Sequence, residues 1–428
     1  MKLKNKNISF IKIISLLAII CSYFIGFFQR ENIAGGAETD FYNLTWKGIL
    51  AFKSNFLDTL YNYSSIGEGS LPMFHILNAY LNPFTYSPQS FQFSITIISL
   101  LNVIFFSQIL RKRLNLKKLD SYLYSSIFLI LPFFRSSAFW GLTENLGWLF
   151  LILSIKFYLI SEKRKTNIFL VCLFSSLALY TRPYLIFFPI FFIIYNFTKK
   201  DFFILKKSLI YYAIFSLPGF FLLYIWGGSV YLGTGDEKIN FILEFHQPKF
   251  IFKNLIIFAS ICFFYFFPFH IASFEKKKKF LKIEKLNIFL LILFGLLTLN
   301  YFNVFDYLEN ETLGGGVFLK FNQYFFGDNN LFFLIIAFLG IISLFSFMRI
   351  SKKNLILISC ALFIYCTPKY IYQEYFEPLL LIFLFALFDL EKNVKNLFSE
   401  NKSIFIFLSY FLIYLISSYY YRYNIVIT

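Results

Sequence analysis

Charge is what this sequence has least of. Only 15% of its 428 residues are Asp, Glu, Lys or Arg, against about 25% in an ordinary soluble chain. Apolar residues make up 58%, including 65 Phe and 30 Tyr, and the mean hydropathy is +0.65. The apolar surplus does not gather into one core. It comes in runs about as long as a bilayer is thick, separated by short polar breaks. A soluble enzyme, a nucleic-acid binder and a disordered scaffold are thereby excluded. Cysteine is also sparse. Cys21, Cys172, Cys262, Cys360 and Cys366 lie in or at the ends of apolar runs, and no pair has CxxC spacing. They read as small buried hydrophobes, not as a disulfide framework. Of the three histidines, His75 and His246 have no partner at a metal-ligand spacing. There is no internal repeat and no separable soluble region, so residues 1–428 read as one integral membrane domain. The run Ile8–Phe28 is longer than a signal-peptide core and lacks a small-residue cleavage site, which marks it as a retained first helix.

Forty Lys and Arg stand against 23 Asp and Glu, a net charge of +17. The excess is clustered at Lys2, Lys4, Lys6 and Lys12, at Arg111–Lys118, Lys163–Lys165, Lys199–Lys207, Lys276–Lys285, Arg349–Lys353 and Lys392–Lys402. Each cluster falls after an even number of apolar segments counted from Ile8, so the positive-inside rule places all of them, and the N-terminus, in the cytoplasm. The charge orients the chain and calls for no nucleic acid. An all-α polytopic fold of about thirteen transmembrane helices (eleven to thirteen) is expected, at 8–28, 88–110, 120–135, 144–160, 167–181, 184–198, 208–226, 251–272, 287–301, 330–348, 354–368, 376–390 and 404–420. The first extracytoplasmic loop, 29–88, is the longest. Within it Phe41–Tyr61 has apolar residues three to four apart, the pattern of an amphipathic surface helix. Leu71–Phe84, bounded by prolines, is too short to cross and reads as interfacial.

The residues that can carry chemistry cluster on this outward side. In Gly35-Gly36-Ala37-Glu38-Thr39-Asp40-Phe41-Tyr42, two carboxylates follow a Gly-Gly and precede the surface helix. They read either as capping groups held by free backbone N–H groups and the helix dipole or as a general base, Asp40 before Glu38, where an apolar wall meets water. In the turn Arg135 to Asn145, Glu144 begins a helix near the hydrocarbon edge, where an ionisable group needs a role or a partner. Arg135 is the nearest candidate partner; the other reading has Glu144 orienting substrate. Arg182, in the hairpin Tyr180-Thr181-Arg182-Pro183-Tyr184, either snorkels to lipid phosphate or binds the phosphate of a lipid-linked substrate. Lys369, in Pro368-Lys369-Tyr370-Ile371-Tyr372-Gln373-Glu374-Tyr375, offers the same chemistry. The tryptophans Trp46, Trp140, Trp148 and Trp226 map to the outer half and form an aromatic belt, or, for Trp46 and Trp140, a platform for a sugar ring. Asp306, Glu309 and Glu311 before three glycines mark an acidic loop.

Taken together, the long first loop with GGAETDFY and its surface helix, the short loop with TEN, the RPY hairpin and the late PKYIYQEY loop resemble the GT-C superfamily of membrane glycosyltransferases. The likeness is to bacterial relatives of the dolichyl-phosphate-mannose protein mannosyltransferases and the lipid A aminoarabinose transferases. The His-Pro-Pro signature of many relatives is replaced here by Leu71-Pro72-Met73-Phe74-His75. The resemblance implies a bacterial cytoplasmic-membrane enzyme that transfers a sugar, with inversion, from a polyprenyl-phosphate donor to a lipid, glycan or protein acceptor on the outer face. It implies Asp40, or else Glu38, as base with Glu144 in support, and Arg182 and Lys369 on the leaving phosphate. Tyr184, Tyr370, Glu374, Arg135, Trp140 and Trp46 would line the substrate. No cofactor is implied; a divalent ion held by Glu38 and Asp40 is the alternative. An O-antigen-type polymerase or ligase and a lipid-linked glycan flippase are the competing classes.

Overall fold

The computed structural model describes residues 2–66, 70–164, 166–228, 231–232, 239–240, 247, 250–275, 314–327 and 329–426. The expected segment 287–301, the acidic residues Asp306, Glu309 and Glu311, and His246 lie outside the described residues. Apart from one antiparallel pairing of Tyr231–Leu232 with Ile239–Asn240, the regular elements described are helical. Seven of these helices are long and apolar enough to cross a membrane: Asn7–Phe28, Pro88–Arg113, Glu144–Glu162, Phe202–Ile225, Ile251–Phe274, Leu331–Ile350 and Asn401–Asn424. They coincide with seven of the expected thirteen. The chain has the architecture of a helical membrane protein.

The remaining described segments depart from straight spans for local reasons. Residues 120–135 split into α7 (Lys118–Ser126), a 3-10 turn (Ile127–Ile130) and α8 (Pro132–Phe139). Pro132 has no N–H to continue the ladder and suits the first position of a new helix. The helices α10 (Ile168–Thr181) and Lys352–Tyr365 are each 14 residues long, short of the roughly 20 that a straight span needs. The expected segment 376–390 follows a 3-10 turn (Gln373–Phe376) and holds only the short helix Leu379–Ile382 and a π turn (Phe383–Leu387).

Contacts group the chain into two compact units: residues Met1–Glu244 with Phe407–Thr428, and Phe245–Ile406. In the first, α1 (Lys2–Phe28) packs on α7, and α6 (Pro88–Arg113) packs on α7 and α9 (Glu144–Arg164). Lys12, which the sequence groups with the N-terminal charges, is instead buried inside a span. Its Nζ donates to Asp120 Oδ1 at 2.5 Å, the paired state a cation needs there. In α12 (Phe202–Ile225), Pro218 interrupts the helix. Tyr180 of α10 inserts its hydroxyl at the break, donating to Phe215 O at 2.5 Å and accepting from Gly219 N–H at 3.0 Å. A side chain thus takes both backbone groups that the kink separates.

Between α1 and α6 the first loop is helical, as its periodicity predicts. It forms α2 (Ala37–Asp40), a π turn (Phe41–Trp46) and α3 (Lys47–Ser54) in one run, then α4 (Phe56–Tyr61) and α5 (Met73–Leu81). The run stops where Asn55 turns extended; its side chain then caps α4 by accepting from Asp58 N–H at 3.1 Å. The loop is pinned at several points. Ala34 N–H donates to Ser136 Oγ at 3.1 Å. Trp226 Nε1 donates to Leu60 O at 2.8 Å and stacks on Tyr63 at 5.7 Å.

In the second unit, α13 (Ile251–Glu275) packs against Leu331–Ile350. The two approach so closely that a Cβ on Gly340 would overlap the Ala259 carbonyl, the small-residue contact of membrane helices. The loop after Lys352–Tyr365 is fastened by Asn254 Nδ2, which donates to Cys366 O at 3.0 Å and Pro368 O at 2.5 Å. Tyr265 adds a bond from its hydroxyl to Glu377 Oε1 at 2.6 Å.

Candidate functional site

Glu38 and Asp40 sit in the first turn of the first-loop helix and are exposed. Gly36, at φ +72°, occupies the capping position, so neither carboxylate is the N-cap residue of this helix. Both stay where the helix dipole favours negative charge. The next residues anchor the turn. Phe41 is buried, 6.1 Å from Phe91 and 6.4 Å from Trp140, and Trp46, half-buried, closes on Phe41 and Phe91. The acidic turn is thereby fixed against the α8–α9 connection that leads to Glu144.

Glu144 opens α9 and is buried, at 6% exposure. Its partner is Arg182, with which it forms an ion pair through Oε1. Arg135, the partner suggested by sequence proximity, is committed elsewhere, so that expectation is corrected. Arg182 follows α10 in an extended conformation, the backbone state that a following proline, here Pro183, favours. Its guanidinium lies 5.9 Å from the Tyr184 ring, which in turn lies 6.0 Å from Trp148. A Cβ on Gly147, one turn into α9, would come within 3.4 Å of the Arg182 side chain. Glu144 Oε2 is buried and has no hydrogen-bond partner among the described residues. A buried acceptor left unmatched costs about 1–3 kcal/mol. A carboxylate with one oxygen held by a cation and the other unmatched keeps acceptor capacity for a further donor.

Arg135 joins Glu31, a residue that no motif in the sequence singles out. Arg135 Nε donates to Glu31 Oε1 at 2.7 Å and Nη2 to Oε2 at 2.5 Å. Nη1 donates to Leu129 O at 3.0 Å, and Nη2 also to Ser22 O at 3.1 Å. Tyr419, from the C-terminal helix, donates its hydroxyl to Glu31 Oε2, and Trp140 Nε1 donates to Glu31 O at 3.0 Å. The Arg135 and Glu31 side chains are 2% and 1% exposed. Burial works against both charges, and the paired bonds together with the mutual attraction offset it. Arg135 and the Trp140 indole N–H are therefore parts of the scaffold. The sequence signal for Glu31 is a lone acid directly after the first apolar run, in QREN.

Lys369, Tyr370 and Glu374 belong to the second unit. Lys369 is exposed, with its ammonium 4.8 Å from the Tyr370 ring, and Tyr370, Tyr372 and Tyr375 form a chain of ring contacts. Behind them Gln373 is buried, donating to the Tyr265 hydroxyl at 3.1 Å and accepting from Val317 N–H at 2.7 Å. Glu374 is half-buried on the same turn. His75 is buried inside the first loop and meets the Tyr63 hydroxyl at 2.9 Å. Among the described residues no group of three or more His, Cys, Asp and Glu is arranged to hold a metal ion.

No known protein family, curated protein or solved structure matches this chain.

Proposed function

We propose that the chain is a GT-C-type glycosyltransferase that moves a sugar from a polyprenyl-phosphate donor to a lipid, glycan or protein acceptor at the membrane surface on the first-loop side. The observation that carries this reading is the buried Glu144–Arg182 pair with Glu144 Oε2 unmatched among the described residues, close in the chain to the turn on which Phe41, next to Asp40, packs. Asp40 takes the proton of the acceptor hydroxyl, with Glu38 as its alternate. The acceptor oxygen bonds to the anomeric carbon from the face opposite the phosphate. The bond from that carbon to the phosphate oxygen breaks, and the electron pair leaves with the lipid phosphate. Arg182 offsets that charge through a guanidinium with five N–H donors, and Glu144 keeps the guanidinium oriented.

The test is release of polyprenyl phosphate, followed by mass spectrometry, when purified protein meets the polyprenyl-linked sugar fraction and acceptor lipids of its host membranes. Asp40→Asn should lower release by about 10²–10⁴-fold, the usual contribution of a general base. Loss with Glu38→Gln and normal release with Asp40→Asn would move the base by two residues. Normal release with both would end the first-loop mechanism.

A further inference from the structure

A cavity of about 520 Å³ opens in the first unit where the end of α1 meets the start of α6, a size typical of small-ligand sites, which span about 300–1,000 Å³. Its walls change character from the spans outward. Phe28, Phe93 and Phe139 form the apolar part, Phe28 closing the first span and Phe93 lying five residues after Pro88 opens the second. Tyr86 and Arg30 lie beyond the span ends, both exposed. Among the described residues that line the cavity, Arg30 is the one that carries a charge. Its contacts are a 3.3 Å bond to the Tyr42 hydroxyl and a 5.1 Å stack on Trp140, which leaves most of its five N–H donors for a ligand. Gln92 is 5% exposed, and its Nε2 has no acceptor among the described residues. The charged side chain and the buried unmatched atom of this groove are both donors, a cation at the surface and an amide about one turn deeper along α6.

We propose that this groove binds an anionic glycerophospholipid of the surrounding bilayer. The headgroup phosphate meets Arg30, an ester carbonyl meets Gln92 Nε2, and an acyl chain lies along Phe28, Phe93 and Phe139. The buried amide selects the lipid class. A glycerolipid carries an acceptor oxygen below its phosphate, whereas an isoprenoid phosphate carries only hydrocarbon there. The groove contains neither Glu144 nor Arg182 and stands whether or not the chain transfers sugars.

Native mass spectrometry of the full chain, titrated in detergent with phosphatidylglycerol, phosphatidylcholine and polyprenyl phosphate, tests the site. Phosphatidylglycerol should bind about tenfold more tightly than phosphatidylcholine, whose trimethylammonium group, held beside the same phosphate, is repelled by Arg30. Arg30→Ala should abolish that preference, Arg30→Lys should keep part of it, and Gln92→Met should weaken phosphatidylglycerol several-fold while leaving polyprenyl phosphate unchanged. Equal binding of the two phospholipids, or a preference that survives Arg30→Ala, overturns the proposal. So does polyprenyl phosphate displacing phosphatidylglycerol at equal concentration. Arg30 is exposed and packs no core, so its variants decide the matter even where Gln92→Met does not fold.

Discussion

Breaking the Glu31–Arg135 pair should be among the most destabilising single changes in this protein. Arg135→Met removes two charge-assisted bonds of 2.7 and 2.5 Å and strands a carboxylate that is 1% exposed, with the Tyr419 hydroxyl as its remaining side-chain donor. Removing one partner of a buried pair costs about 3–5 kcal/mol. At 1.4 kcal/mol per decade that is roughly 140- to 3,700-fold in the folding equilibrium. Glu31→Gln should cost a similar amount, since it strands the guanidinium. The double variant Glu31→Gln, Arg135→Met leaves no buried charge at this position and should recover most of the loss, because a well-packed neutral replacement of a buried pair is often close to neutral. The assay is unfolding in mixed detergent–SDS micelles followed by tryptophan fluorescence, with Trp140 reporting from the carbonyl of Glu31 itself. The expected coupling between the two sites exceeds about 2 kcal/mol. A cost under about 1 kcal/mol for Arg135→Met, or simple additivity of the two single variants, would refute the account of a desolvated, mutually dependent pair.

Other outcomes follow from the same contacts. A Cβ on Gly26 would overlap both Arg135 Nη2 and Glu31 Oε2, so Gly26→Ala should displace the pair and lower stability by about 1–3 kcal/mol, read in the same micelle titration. Gly340→Ala should destabilise the second unit by a similar margin, because the obstruction is the Ala259 backbone and no side chain can rotate away; protease sensitivity near residue 340 reads this out. On the proposed mechanism Arg182→Ala should abolish sugar transfer and also leave Glu144 an unpaired buried acid, whereas Arg182→Lys should restore stability more than activity, as a comparison of melting and product release will show. Cys21 is exposed on the first span and the other four cysteines are buried, so a membrane-permeant maleimide should modify Cys21 before the others in the native protein and all five after SDS. A second thiol modified as early as Cys21 would contradict the packing around Cys172, Cys262, Cys360 or Cys366.

The spans and the first-loop helices are legible in the sequence because both depend on local apolar periodicity. Asn55 is enough to divide the expected surface helix at 41–61, and Pro132 enough to break the segment at 120–135. The ion pairs are not legible. Glu144 and Arg135 are nine residues apart in the chain, yet each takes a more distant partner, and hydropathy carries no record of which buried charge faces which. Arg182 stands out as a lone cation in a hairpin, but its carboxylate lies two helices back, at the start of α9. Glu31 is hidden for a different reason: an acid after an apolar run usually marks a solvated boundary. Here it is enclosed because α8 and the C-terminal helix close over it.

The Tyr419 hydroxyl reaches Glu31 across 388 residues of chain, and this fixes an order of events in biosynthesis. The first loop emerges early and its helices form from local pattern, but one of the donors that hold Glu31 belongs to a helix that leaves the ribosome 388 residues later. Until that helix inserts, the loop carrying Glu38 and Asp40 has its α8 contacts and lacks its final clasp. The acidic turn is completed only when the helix Asn401–Tyr421 is in place, so a polypeptide cut short before residue 407 would insert its early helices and leave that turn unlatched.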